Sequence, residues 1–102
     1  MSSIKIRTKQ LDGMTQIRTL INHPMETGRN RDKNGQLIAA HYIQKLTIKH
    51  NDVIIMSCEM GAGISKDPFF VFHLKGGSSG DKITISWIDN LGNSDTSERL
   101  IR

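Results

Sequence analysis

The strongest nucleophile available to this sequence is its single cysteine, Cys58, and four histidines, His23, His41, His50 and His73, are the natural candidates for proton transfer or metal ligation. Cys58 lies in the run Val53 to Met60, where period-two alternation places it with Ile54, Met56 and Met60 while Ser57 and Glu59 point the other way. That pattern predicts a buried thiol. Apolar surroundings raise a thiol pKa and leave little thiolate, so the expected role of Cys58 is packing.

Two metal chemistries can be set against these residues. A blue-copper centre needs two histidines, a cysteine and an axial methionine, and His23, His50, His73, Cys58 and Met60 supply the types. The spacing does not suit it, because Cys58 sits in mid-strand and His73 follows fifteen residues later. A mononuclear iron centre of the superoxide reductase kind is the better alternative, since that fold is also an immunoglobulin-like sandwich. His23, His41, His50 and Cys58 are the residues that would serve it. The chain lacks a short Cys-x-x-His pair, and histidines on separate segments are more often hydrogen-bonded or surface residues than ligands.

Other chemistry is weakly represented. Glu26, Asp32, Asp52, Glu59, Asp67, Asp81, Asp89, Asp95 and Glu98 are spread through turns and strand faces, so no acid and base pair stands out and most are expected in solvent. Gly76-Gly77-Ser78-Ser79-Gly80 has no P-loop lysine in register and no following helix, which makes it a flexible connection rather than a phosphate cradle. Arg29, Arg31 and Lys33 form a locally basic stretch that could attract an acidic partner surface or an anionic substrate such as an oxidised sulfur species, but three exposed cations on a loop read chiefly as solvated.

The elements that must position these side chains are short strands. Alternation appears at Ile4 and Ile6 against Lys5 and Arg7, and at Ile83, Ile85 and Trp87 against Thr84, Ser86 and Ile88. Further β-rich runs cover Met14 to Asn22, Tyr42 to His50, Val53 to Met60 and Phe69 to Lys75, with a weaker one near Thr96 to Ile101. Turn residues punctuate them at Asp12-Gly13, Asn51-Asp52, Gly61-Ala62-Gly63, Gly76 to Gly80 and Asn90-Leu91-Gly92. Short strands without crossover helices predict an all-β fold, an immunoglobulin-like antiparallel β-sandwich of about seven strands. His23 to Gly35 breaks the rhythm as a long polar loop, of a length that is often functional.

Residues 1–102 read as one domain, large enough to bury roughly two thirds of its unfolded surface without a disulfide. The net charge of +4 is spread along the chain, and Phe69, Phe70, Phe72 and Trp87 lie in apolar runs that read as core. That arrangement argues against nucleic acid as a partner. The start, Met1-Ser2-Ser3-Ile4-Lys5-Ile6-Arg7, has no apolar run suited to a signal peptide or membrane span, so no membrane association is expected.

His23-Pro24-Met25-Glu26-Thr27-Gly28, followed by Asp32-Lys33-Asn34-Gly35, closely resembles the loop that marks the SoxZ family. The resemblance continues through the hairpin at Asn51, through Ile64-Ser65-Lys66-Asp67-Pro68-Phe69, and through Trp87-Ile88-Asp89-Asn90-Leu91-Gly92. Ala39-Ala40 stands where the family usually has Pro-Arg, Asp52 where it has Gly, and Gly63, Lys66 and Asp67 where it has Ala, Ala and Asn.

This resemblance implies a non-catalytic, cofactor-free subunit of a SoxYZ-type sulfur carrier complex in thiosulfate oxidation. It implies a heterodimer with a SoxY-like chain whose C-terminal, glycine-flanked cysteine carries the sulfur intermediates, and transient docking of the enzymes that load and strip it. The present chain ends in Ser97-Glu98-Arg99-Leu100-Ile101-Arg102 without such a cysteine. His23, Pro24, Met25, Glu26, Thr27 and Gly28 become the expected partner-contact loop. The family also implies a periplasmic location reached by co-export with a signal-bearing partner.

Overall fold

A computed structural model describes residues 3–102; Met1 and Ser2 of the N-terminal segment lie outside the described residues. Seven strands follow one another without a helix among the described residues: β1 (Ile4–Leu11), β2 (Met14–Ile21), β3 (Ile43–His50), β4 (Val53–Glu59), β5 (Phe69–Lys75), β6 (Lys82–Asp89) and β7 (Ser94–Leu100). All pairings are antiparallel. A three-stranded sheet has the order β1-β2-β5 and a four-stranded sheet the order β4-β3-β6-β7. This is the expected immunoglobulin-like sandwich, in which β2 to β3, β4 to β5 and β5 to β6 cross between layers.

Alternation explains the layers. On β2, Thr15, Ile17, Thr19 and Ile21 are buried, while Met14, Arg18 and Leu20 are exposed. Ile4 and Ile6 of β1, Leu46 and Ile48 of β3, and Ile83, Ile85 and Trp87 of β6 meet them in a core closed by Ile101. The β3–β4 hairpin turns on Asn51 (φ 49°) and Asp52 (φ 68°), the two left-handed residues of a type I′ turn. Asp52 occupies the position where glycine would be unstrained, and Lys82 Nζ lies 2.9 Å from its carboxylate. At the same end of the sandwich, a side chain on Gly77 (φ 88°) would approach Thr15 Oγ1 to 2.5 Å, so this turn requires glycine.

The molecule measures 51 × 24 × 22 Å. Eight-residue strands reach only about 27 Å, so the long axis includes the end loops. The long β2–β3 connection is itself a rudimentary hairpin, bridged at Glu26↔His41 and Arg31↔Leu37. Its tip is organised by Asp32 Oδ1, which accepts from the backbone N–H groups of Asn34 and Gln36.

The two flanks of the sandwich differ. On one, β1 packs against β7, and Ser3 binds Asp95 Oδ2 through both its N–H and its hydroxyl at 2.7 Å while accepting from Trp87 Nε1 at 3.0 Å. On the other, β4 and β5 are the edges of their respective sheets and do not close on each other.

Candidate functional site

Two of the candidate histidines, His23 and His41, meet at one end of the sandwich around Asp89, a carboxylate expected in solvent. Asp89, at the end of β6, is buried, as is His23, which follows β2. Asp89 Oδ2 lies 3.2 Å from His23 Nε2 and 2.7 Å from His41 Nε2, and accepts from Asn93 Nδ2 at 3.2 Å. Its Oδ1 accepts from the backbone N–H groups of Leu91 and Asn93 at 3.0 and 2.8 Å. Burial alone would raise the Asp89 pKa, but the bonds from His23, His41 and Asn93 outweigh it and hold the carboxyl well below the usual carboxylate range.

The tautomer of His23 follows from its neighbours. Its Nδ1 accepts the backbone N–H of Met25 at 3.1 Å, so a neutral ring must carry its proton on Nε2 and donate to Asp89. The ring also meets Trp87 edge to face at 5.1 Å and His41 at 4.6 Å. Met25 is held at φ 50°, unusual for a side-chain-bearing residue, and its Sδ accepts from the Ile43 N–H at 3.4 Å. His23 N and O are tied to Asp67 Oδ1 and N, which stitches the loop to the segment entering β5.

Ligand atoms of His23, His41 and Asp89 lie within 4.8 Å of one another, a spacing that a metal ion could bridge. The donor set does not fit one. Both His23 nitrogens are committed, one as acceptor from Met25 and one as donor to Asp89, and five donors fill the carboxylate. The iron-type constellation is also dispersed. His50 sits at the opposite end of β3, about 25 Å of strand away, and binds Asp81 Oδ2 at 2.8 Å. Cys58 lies on β4; of the blue-copper candidates, His73 faces outward on β5, 3.4 Å from Gln16 Nε2. The arrangement at Asp89 is a hydrogen-bond hub that locks one end of the fold.

Within the loop His23-Pro24-Met25-Glu26-Thr27-Gly28, His23 and Met25 point into the protein, Pro24 is exposed, and Glu26, Thr27 and Gly28 are half-buried. Gly28 (φ 86°) lies so close to Ala40 that an added Cβ would sit 3.3 Å from the Ala40 Cβ.

Cys58 is exposed, contrary to expectation. The expected face holds: Cys58 pairs with Leu46 and Met56 with Ile48, both inward-facing core residues. What is missing is a cover, because the opposing sheet ends at β5 and leaves the inner face of β4 overhanging. A bulge between Ile48 and Lys49 also shifts the alternation, pairing Lys49 with Ile54, so Ile54 leaves the face of Met56 and Cys58. The phenylalanine run is likewise only partly core, with Phe69 58% exposed and Phe70 and Phe72 half-buried.

The result is an open apolar flank. Val53, Ile54, Ile55 and Met56 are 64, 60, 43 and 42% exposed, and no charged residue interrupts β4 before Glu59. A notch of about 140 Å³ between the two edges is lined by Ile55 and Met56 on one side and Phe72, His73, Leu74 and Lys75 on the other, and reaches Ile17 and Ile48. Natural sheets blunt an exposed edge with charges, proline or a covering segment. Here the edge is long, apolar and bare, the form of a surface that another chain covers.

Comparison with known proteins agrees with this architecture. Among solved structures, a superoxide reductase from Nanoarchaeum equitans superposes with a TM-score of 0.69 at 14% identity, covering 98% of this chain and 92% of that one. At that identity the likeness defines the fold alone, a β-sandwich. No curated protein matches the chain in sequence. The family model described as Sulphur oxidation protein SoxZ matches residues 4–99, nearly the whole length, and the chain belongs to the SoxZ family of sulfur-oxidation proteins.

Proposed function

We propose that this chain is the partner subunit of a SoxYZ-type sulfur carrier in thiosulfate oxidation, and that it pairs with a SoxY-like chain through the flank between β4 and β5. The observation that carries this reading is the uncovered apolar edge at Val53 to Cys58, facing the half-buried Phe70, Phe72 and Leu74. Membership of a sulfur-oxidation family supplies the context.

In this reading the sulfur rides on a cysteine of the partner and this subunit contributes no catalytic group. Its polar cluster, Asp89 with His23 and His41, is saturated by internal bonds and serves architecture. The partner covers the overhanging face of β4, and with it Cys58. The enzymes that load and strip the carrier dock on surfaces left free. The heterodimer works in the periplasm, which this subunit reaches by co-export with its signal-bearing partner.

Co-expression with the cognate SoxY-like chain tests the assignment. A one-to-one complex by native mass spectrometry is expected. Met56→Glu places a charge in the flank and abolishes the complex while the isolated chain stays folded, since Met56 is already 42% exposed. After thiosulfate treatment in the presence of the loading enzymes, sulfur adducts fall on the partner's cysteine. An adduct on Cys58, or an intact complex in the Met56 variant, would defeat the reading.

A further inference from the structure

The two sheets differ in charge. Strands of the four-stranded sheet carry Lys45, Lys49, Lys82 and Arg99 against Glu59, Asp89, Asp95 and Glu98. Strands of the three-stranded sheet carry Lys5, Arg7, Lys9, Arg18 and Lys75 and no carboxylate. All five of these cations are exposed. Lysine and arginine ion pairs among the described residues are confined to Lys82, on the other sheet.

Strand register turns this composition into a surface. Outward positions align in rows, Lys5 beside Leu20 and Phe69, Arg7 beside Arg18 and Val71, and Lys9 beside Gln16 and His73. The cations form a stripe along β1 that reaches Arg18 in the centre, and Leu20, Phe69 and Val71 border it as an apolar strip 39, 58 and 44% exposed. Arg7 and Arg18 are direct cross-strand partners, an arrangement that like-charge repulsion disfavours within an isolated sheet. Arg18 is held by a neutral chain in place of a carboxylate: its Nε donates to Gln16 Oε1 at 3.1 Å, and Gln16 Nε2 lies 3.4 Å from His73 Nε2. The cationic stripe continues over the β1–β7 flank into an open groove of about 640 Å³, where Lys5, Arg7, Arg99 and Arg102 outnumber Glu98.

We infer that the outer face of β1-β2-β5 is a docking surface for an acidic protein whose carboxylates meet Arg7 and Arg18 and whose apolar rim meets Phe69 and Val71. Charge complementarity identifies the occupant. A partner bearing carboxylates relieves the Arg7–Arg18 repulsion and supplies the counter-charge that the sheet lacks, and such surfaces speed encounter with partners that come and go. Phe69 and His73 are the exposed rings on the face and stand four residues apart on β5, so they offer no repeated stacking platform for single-stranded nucleic acid. This surface adjoins the β4–β5 notch only at His73 and Lys75, away from Arg7 and Arg18, and the inference stands without the SoxY pairing.

Titration of the isotopically labelled full chain with poly-L-glutamate, followed by backbone NMR, tests it. Shifts are expected in the rows of Arg7, Arg18 and Val71 and along the β1–β7 groove, and raising salt from about 0.02 to 0.3 M weakens binding roughly tenfold. Arg7→Glu separates docking from structure, because it converts a repulsive cross-strand pair into an attractive one: the melting temperature rises while poly-glutamate binding falls by about tenfold or more. Phe69→Ser weakens binding to an acidic peptide carrying leucines but not to poly-glutamate. Lys45→Glu with Lys49→Glu on the other sheet makes a larger change in net charge and leaves binding within about twofold. Equal loss in that control, shifts spread over both sheets, or tighter binding to phosphatidylglycerol vesicles or to DNA than to the acidic polypeptide would overturn the inference.

Discussion

The two flanks of the sandwich are built from similar strands and finished in opposite ways. At the Ser3 end of the β1–β7 flank, Ser3, Asp95 and Trp87 close the gap with hydrogen bonds between residues 84 to 92 apart in sequence, and a polar groove opens further along, between Lys5, Arg7 and Arg99. Where β4 and β5 run side by side, Ile55, Met56, Phe72 and Leu74 line a notch that nothing in the chain fills. The contrast separates two uses of apolar surface. One flank is stitched to itself within the chain, and the other is the surface that the proposed function assigns to a partner.

The most damaging substitution for the closed architecture is Asp89→Ala. It leaves five donors facing a cavity, and a loss of about 3–5 kcal/mol is expected in denaturant unfolding. Acid has a related effect with a defined sign. Because hydrogen bonding depresses the folded-state pKa of Asp89 below its ordinary value of 3.8, its contribution is complete above about pH 4 and is lost as the pH falls below that. Asp89→Asn is less stable at neutral pH and loses less stability than the wild type when pH is lowered further, which melting curves on both proteins measure.

Gly77→Ala follows, since the methyl group would overlap Thr15 Oγ1 at a left-handed position; a cost of about 2–3 kcal/mol is expected. Thr19 and Thr84 bury hydroxyls without a partner, so Thr19→Val stabilises the chain by about 1 kcal/mol. A measured loss there would mean that the hydroxyl has a partner in solution.

The smallest expected effect sharpens the contrast most. Cys58→Ala changes the stability of the isolated chain by less than about 0.5 kcal/mol, because the thiol already faces solvent. Iodoacetamide is expected to label Cys58 readily in the free chain and slowly in the proposed carrier complex. Equal labelling in both states would place the partner elsewhere.

Much of the fold was legible because strand alternation is a local property. Ile4 and Ile6, and Ile83 with Ile85 and Trp87, were read as inward-facing and are buried. The face of Cys58 was legible for the same reason, whereas its exposure was not. Burial needs a covering strand, and how far one sheet overhangs the other is set by pairing between segments remote in sequence. The bulge at Ile48/Lys49 moved Ile54 to the other face, and a single inserted residue of that kind leaves no mark on composition. At the hub, His23 and His41 were visible as candidates, but Asp89 was grouped with solvated carboxylates. Its partner His23 lies 66 residues away, and the family-typical residues around both were the available signal.

By itself, then, the sequence determined the strands, their turns, the sandwich class and, through the His23 to Gly28 loop and its companions, the family. Those follow from near-neighbour sterics, alternation and short motifs. Tertiary structure alone decided which inward faces are covered, which polar groups meet, and that the cations of three separate strands share one surface. Each of these depends on register and sheet width, which arise when distant strands compete to bury the same apolar surface.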